Sequence, residues 1–129
     1  MRRRHPGPGE MKRLRLALLI AVVASVALLA LTGPPRFLLN LVKPVDLTNP
    51  AAAGSILVDR YTCRTCHRIG GRGALTGPDL AGVTRRLSPG VLRLWLSNPA
   101  AVKGGTAMPN NWLSDGEIEA ILAYLQSVP

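Results

Sequence analysis

The sequence predicts an all-α fold, and three observations predict it. Apolar residues recur at helical spacing in three stretches after residue 50, and no stretch alternates as a strand does. Each of those stretches opens on a helix-start signal: Asn49-Pro50, Ser88-Pro89, and Ser114 with Glu117 three residues on. Near the N-terminus, Leu16 to Leu31 is an apolar run broken only by Ser25, close to what a membrane-spanning helix needs.

The first 15 residues carry Arg2, Arg3, Arg4, Lys12, Arg13 and Arg15 against Glu10 alone. A basic flank before an apolar run is an export signal, and Met11 is an alternative start that keeps enough of that flank. Length favours a retained anchor over 16–32, with Arg15 snorkelling to the headgroups; a cleaved signal, cut after Ser25-Val26-Ala27, is the other reading. Either way the flank at 1–15 stays cytoplasmic and the rest is carried to the extracytoplasmic side. Gly33-Pro34-Pro35 ends the run. Residues 33–48 read as a linker or as a juxtamembrane segment against lipid, since Phe37, Leu38, Leu39, Leu41 and Val42 are apolar.

The globular part occupies 49–129. Its first helix runs from Ala51 to about Tyr61, with Ala53, Ile56, Leu57 and Tyr61 at helical spacing. Residues 69–77 are glycine-rich loop. A second helix follows Ser88-Pro89 and stops before Asn98-Pro99, with Val91, Leu92, Trp95 and Leu96 on one face. The third starts at the Ser114/Glu117 capping box and carries the stripe Ile118, Ile121, Leu122 and Leu125, with Tyr124 beside it. Three short helices on long loops make a thin core, and domains of this size usually need a staple or cofactor.

The staple is legible in Cys63-Arg64-Thr65-Cys66-His67, a Cys-x-x-Cys-His run, which is the attachment signature of haem c. Two thiols three positions apart share one side of a helical turn, and each can add to one vinyl group on the same haem edge. His67 then offers an imidazole nitrogen to the iron. Zinc is a poor alternative, because only Cys63, Cys66 and His67 are present on that side of the apolar run. A thiol redox pair lacks its usual strand–helix context. The second axial ligand follows by elimination. Met1 and Met11 precede the apolar run, so Met108 is the one thioether left, in a loop stiffened by Pro109.

With these motifs in order, the chain resembles the class I c-type cytochromes, in particular small bacterial monohaem domains. The matching pieces are Tyr61-x-Cys63-x-x-Cys66-His67, Gly77-Pro78-Asp79-Leu80, Leu92-x-x-Trp95-Leu96-x-Asn98-Pro99, and Gly105-Thr106-x-Met108-Pro109 before the last helix. The resemblance implies a cytochrome c fold of three to four short helices around one haem. It implies thioethers at Cys63 and Cys66, with His67 and Met108 as iron ligands. Pro78 would present its carbonyl to the other imidazole nitrogen, and Trp95 would line the haem pocket. It also implies a crossing of the first and last helices at Gly54, against Leu122 or Tyr124. Val58 stands where the family often has Phe, and Tyr61 is available to supply the ring.

The expected function is single-electron transfer by a membrane-anchored carrier rather than an enzyme, with no small-molecule substrate. Two competing readings are a haem subunit of a larger respiratory or dehydrogenase complex, and a haem sensor or peroxidase-like enzyme. The net charge of +9 does not indicate nucleic acid: most of it belongs to the N-terminal flank, and residues 46–129 hold eight basic against six acidic residues. Arg60, Arg64, Arg68 and Arg72 recur every four residues. They read either as a docking face for an acidic redox partner or as a solvated surface.

Overall fold

The computed structural model describes residues 7–128; Arg2, Arg3, Arg4 and His5 of the basic flank, and Pro129, lie outside the described residues. The chain divides into two compact units, with the boundary between Pro35 and Arg36.

The first unit is one helix, α1 (Pro8–Thr32). Its stretch Gly9–Thr32 spans 24 residues and is long and apolar enough to cross a membrane. At 1.5 Å per residue that is about 36 Å, against a hydrocarbon core of about 30 Å. The hydroxyls within it are satisfied locally: Ser25 donates to the Ala21 carbonyl and Thr32 to that of Leu28, each at 2.8 Å. Helix α1 begins inside the basic flank and stops where the Gly33-Pro34-Pro35 sequence withdraws backbone donors.

The second unit is all-helical. It contains α2 (Arg36–Val42), α3 (Pro50–Arg60), a single 3-10 turn (Cys63–Thr65), α4 (Val83–Arg86), α5 (Pro89–Ser97), α6 (Pro99–Val102) and α7 (Asp115–Ser127). Among the described residues there is no strand, only an isolated bridge between Ile69 and Arg72. The three expected helices are α3, α5 and α7, and their caps are the side chains read from the sequence. Asn49 accepts from Ala52 N–H, Ser88 from Val91 N–H, and Ser114 from Glu117 N–H. Glu117 returns the bond to Ser114 N–H at 2.9 Å, completing the capping box.

Helices α3 and α7 form the main packing pair. Their axes approach at Gly54, where a Cβ would stand 2.0 Å from the Ala120 carbonyl oxygen and 2.7 Å from Tyr124 Cβ. The glycine is therefore a requirement of the crossing, and the residues it meets are Ala120 and Tyr124, with Leu122 not among the nearest atoms. Around this pair lie Leu57, Val58, Ile69, Val83, Leu92 and Leu113, together with Ile118, Ile121, Leu122 and Leu125 of α7. Ile56, expected on the inner face of α3, is instead 61% exposed: the face is set by Gly54, Leu57 and Val58.

Helix α2, like the one-turn helices α4 and α6, was not declared by the sequence. It rests on α7 through buried Leu39 and through polar bonds to Asp115. Arg36 pairs with the Asp115 carboxylate. Asn40 donates to Asp115 Oδ2 at 2.6 Å and accepts from Asp115 N–H at 2.8 Å. These bonds hold the Asp115 carboxyl below the usual carboxylate range, the Asn40 bond contributing most and Arg36 next.

Candidate haem-attachment site

Helix α3 delivers the chain into the motif through a reversal at Thr62, whose φ of 52° places a β-branched residue in left-handed backbone. Thr62 is held there at both ends. Its N–H donates to Asp59 O at 3.1 Å, and its carbonyl accepts from the Thr65 hydroxyl at 2.8 Å. The reversal starts the 3-10 turn that carries Cys63, and His67 N–H closes back on Cys63 O at 2.9 Å. Cys63 and Cys66 are not joined to each other; Cys63 is half-buried and Cys66 exposed. Burial pushes the Cys63 thiol up.

The following loop folds back over the motif. Ala74 N–H reaches Arg64 O at 2.9 Å, Gly77 N–H reaches Cys66 O at 2.7 Å, and Leu80 N–H reaches Arg68 O at 3.0 Å. This wrapping places the Pro78 carbonyl oxygen 2.8 Å from His67 Nδ1. A proton on Nδ1 thus meets an acceptor, which leaves the lone pair on Nε2. Gly77 makes the approach possible: a Cβ there would lie 2.7 Å from His67 Cε1 and 2.9 Å from Nδ1. Its role is one that spacing alone did not separate from that of the other loop glycines.

Trp95 sits half-buried on α5. Met108 is half-buried in the loop before α7, its N–H bonded to the Thr106 hydroxyl at 3.2 Å. The residues present fit a covalent haem. Two unpaired thiols flank one turn, one imidazole is oriented by a carbonyl with its other nitrogen left over, and a thioether stands in a loop. Leu75, Leu87, Val91 and Leu94 are apolar and exposed on the post-motif loop and α5, surface that a large flat apolar group can cover.

The family model described as cytochrome c matches residues 51–129, more than half of the chain. The chain belongs to the cytochrome c family. A comparison with curated proteins gives no match. For a cytochrome c, covalently bound haem c follows from membership, and Cys63 and Cys66 are in place to hold it. The cytochrome is accordingly a haem-based electron carrier, preceded in its chain by one helix apolar enough for a membrane.

One sequence reading changes on this cytochrome's surface. Arg64 is not an outward member of a basic stripe. Its guanidinium bonds Asp59 Oδ1 at 2.9 Å, the Tyr124 hydroxyl at 2.7 Å and the Ile69 carbonyl. It ties the motif to α3 and α7. Burial works to raise the Tyr124 hydroxyl, but the Arg64 bond and charge, with hydrogen bonding to Ser55 and Arg72, together outweigh it and its pKa is lowered. Arg60, Arg68 and Arg72 remain exposed.

Proposed function

We propose that the protein is a membrane-tethered monohaem carrier that moves single electrons between redox proteins on the extracytoplasmic side, with His67 and Met108 as axial ligands. The observation that carries the ligand reading is the 2.8 Å approach of Pro78 O to His67 Nδ1, because it commits one ring nitrogen and presents the other. Bound haem supplies a one-electron iron couple. The chain's own residues do the rest. Cys63 and Cys66 fix the group covalently, the Pro78 carbonyl holds the Nδ1 proton and raises the basicity of Nε2, and Pro109 restricts Met108 to a narrow range of backbone angles. Trp95 and the exposed apolar side chains of α5 would line the pocket and exclude water from a bound haem.

Two protein ligands leave no coordination position for a substrate, which favours transfer over catalysis. Basic residues before the apolar helix favour a cytoplasmic N-terminus and a haem domain on the other side.

The test is the spectrum and mass of matured protein extracted in detergent. Mature chain heavier than its polypeptide by one haem, with a sulfur–iron charge-transfer band in the oxidised state, is the expected result. Met108→Ala should abolish that band and lower the reduction potential, because thioether ligation raises it. An unchanged band in Met108→Ala would remove Met108 as the ligand. A mature mass equal to the bare polypeptide would remove the whole reading.

A further inference from the structure

Helix α2 is built inside out. On a helical wheel Arg36, Leu39 and Asn40 share one side, and Phe37, Leu38, Leu41 and Val42 make a continuous arc on the other. In a water-soluble domain the charged side would face solvent. Here Arg36 and Asn40 are spent on Asp115 of α7, and Leu39 is buried. Most of the apolar arc points away from the domain: Phe37 is 73% exposed, Leu41 74% and Val42 61%, with Leu38 half-buried at its edge. Phe37 is the single phenylalanine of the chain, and it sits on the outside.

Covalent reach identifies what covers this arc. Only Gly33, Pro34 and Pro35 separate the end of α1 at Thr32 from the start of α2 at Arg36. Four Cα steps extend at most about 14 Å. The headgroup region on each side of a bilayer is on the order of 5–8 Å deep. With α1 across the membrane, a connection lying along the surface keeps Phe37 in the headgroup layer, and only one extended along the membrane normal carries it past. An apolar arc on a short helix at that depth is an interfacial helix.

We propose that α2 is a lipid seat: the arc Phe37, Leu38, Leu41 and Val42 dips into the headgroup–acyl boundary, and the α2–α7 clamp passes that fixed position to the haem domain. The seat rests on the reading of α1 as a retained anchor. It makes the domain a body set on the membrane surface rather than one swinging on a tether. The attraction is apolar. Arg36 pairs with Asp115, and Lys43 points to the Trp112 carbonyl at 2.9 Å and the Tyr61 hydroxyl at 3.2 Å. Both basic groups beside the arc are thus engaged by the domain, Arg36 in an ion pair that stays at the surface, and seating needs no anionic lipid.

Spin labels on the holoprotein in nanodiscs test this, because haem attachment consumes the two native cysteines. Single labels are placed at Leu19→Cys in α1, at Phe37→Cys and Leu41→Cys in α2, and at Gln126→Cys in α7 as a solvent reference. Collision rates with oxygen, which partitions into lipid, and with a water-soluble nickel chelate give the depth of each. The expected result is lipid exposure at Leu19 and interfacial exposure at Phe37 and Leu41. The α2 labels should favour oxygen over nickel at least threefold relative to Gln126, equally in zwitterionic and anionic discs. If Leu19 reads lipid while Phe37 and Leu41 read water like Gln126, the anchor stands and the seat is overturned. If the α2 labels are shielded from both reagents, a protein contact covers the arc and the seat is again overturned. If Leu19 reads water, the anchor reading fails and takes the seat with it.

Discussion

Glu117 is buried at 2% exposure, and its carboxylate is held by two hydrogen-bond donors and a nearby lysine. It accepts from Ser114 N–H at 2.9 Å and from the Tyr61 hydroxyl at 2.7 Å, with Lys43 Nζ at 3.9 Å. Beyond the capping box, no local pattern marks this glutamate as also joining α3 to α7. Burial and the Glu117 carboxylate push the Tyr61 hydroxyl up to about 12. A phenol free in the unfolded chain loses its proton near 10, so the stabilising effect is fully present below about pH 10 and is lost as pH rises through 12. Tyr61→Phe should cost about 1–3 kcal/mol in denaturant melts of the holoprotein at neutral pH, because Glu117 loses a buried donor. It should also flatten the stability decline between pH 10 and 12. Gly77→Ala should move the His67 ring, since the added methyl overlaps it, costing about 1–3 kcal/mol and altering the reduction potential. Unchanged potential and stability would show that the loop yields instead. At this scale the Cys-x-x-Cys-His run was fully legible, because its chemistry is local. Arg64 was not: its partners Ile69, Asp59 and Tyr124 include one residue 60 positions away. Arg64→Glu should therefore cost about 2–4 kcal/mol before any partner is added, whereas Arg68→Glu should leave stability unchanged.

The starts of α3, α5 and α7 were written in the sequence, because capping residues act within one turn. Each element's inward face was less so. Periodicity put Ile56 with Leu57 on the inner face, whereas Gly54 lets α7 approach on the side of Leu57 and Val58, and Ile56 is left outside. Gly54→Ala should cost at least about 3 kcal/mol, since the methyl overlaps backbone atoms of Ala120 that cannot rotate away. Thermal melts of the holoprotein would detect it. Helix α2 eluded periodicity for a different reason. Its polar residues answer to Asp115, more than 70 residues later, so its pattern makes sense only once α7 is beside it. The Asp115 carboxyl has a lowered pKa, so its share of the clamp is present above the ordinary value near 3.9 and is lost as pH falls through the lower folded value. Hydrogen exchange should show α2 amides losing protection below about pH 4 while α3 and α7 keep theirs. Asp115→Asn should abolish that pH dependence.

For the whole molecule, charge, apolarity and cofactor need divide along the chain. More than half of the excess positive charge lies in residues 1–15, and the haem domain is near balance. The cofactor need was legible as a deficit: three helices with too little apolar surface to close a core on their own. Extraction of the mature protein should require detergent, and its intact mass should include the residues of α1. A form released by salt alone would indicate cleavage instead.

The three-residue stretch Gly33-Pro34-Pro35 carries a kinetic consequence. A freely diffusing shuttle explores a volume, but a carrier whose α1 is retained in a membrane would, on so short a leash, explore only a sheet. Its meetings with donor and acceptor then follow their crowding within that plane, and dilution of the surrounding fluid leaves them untouched.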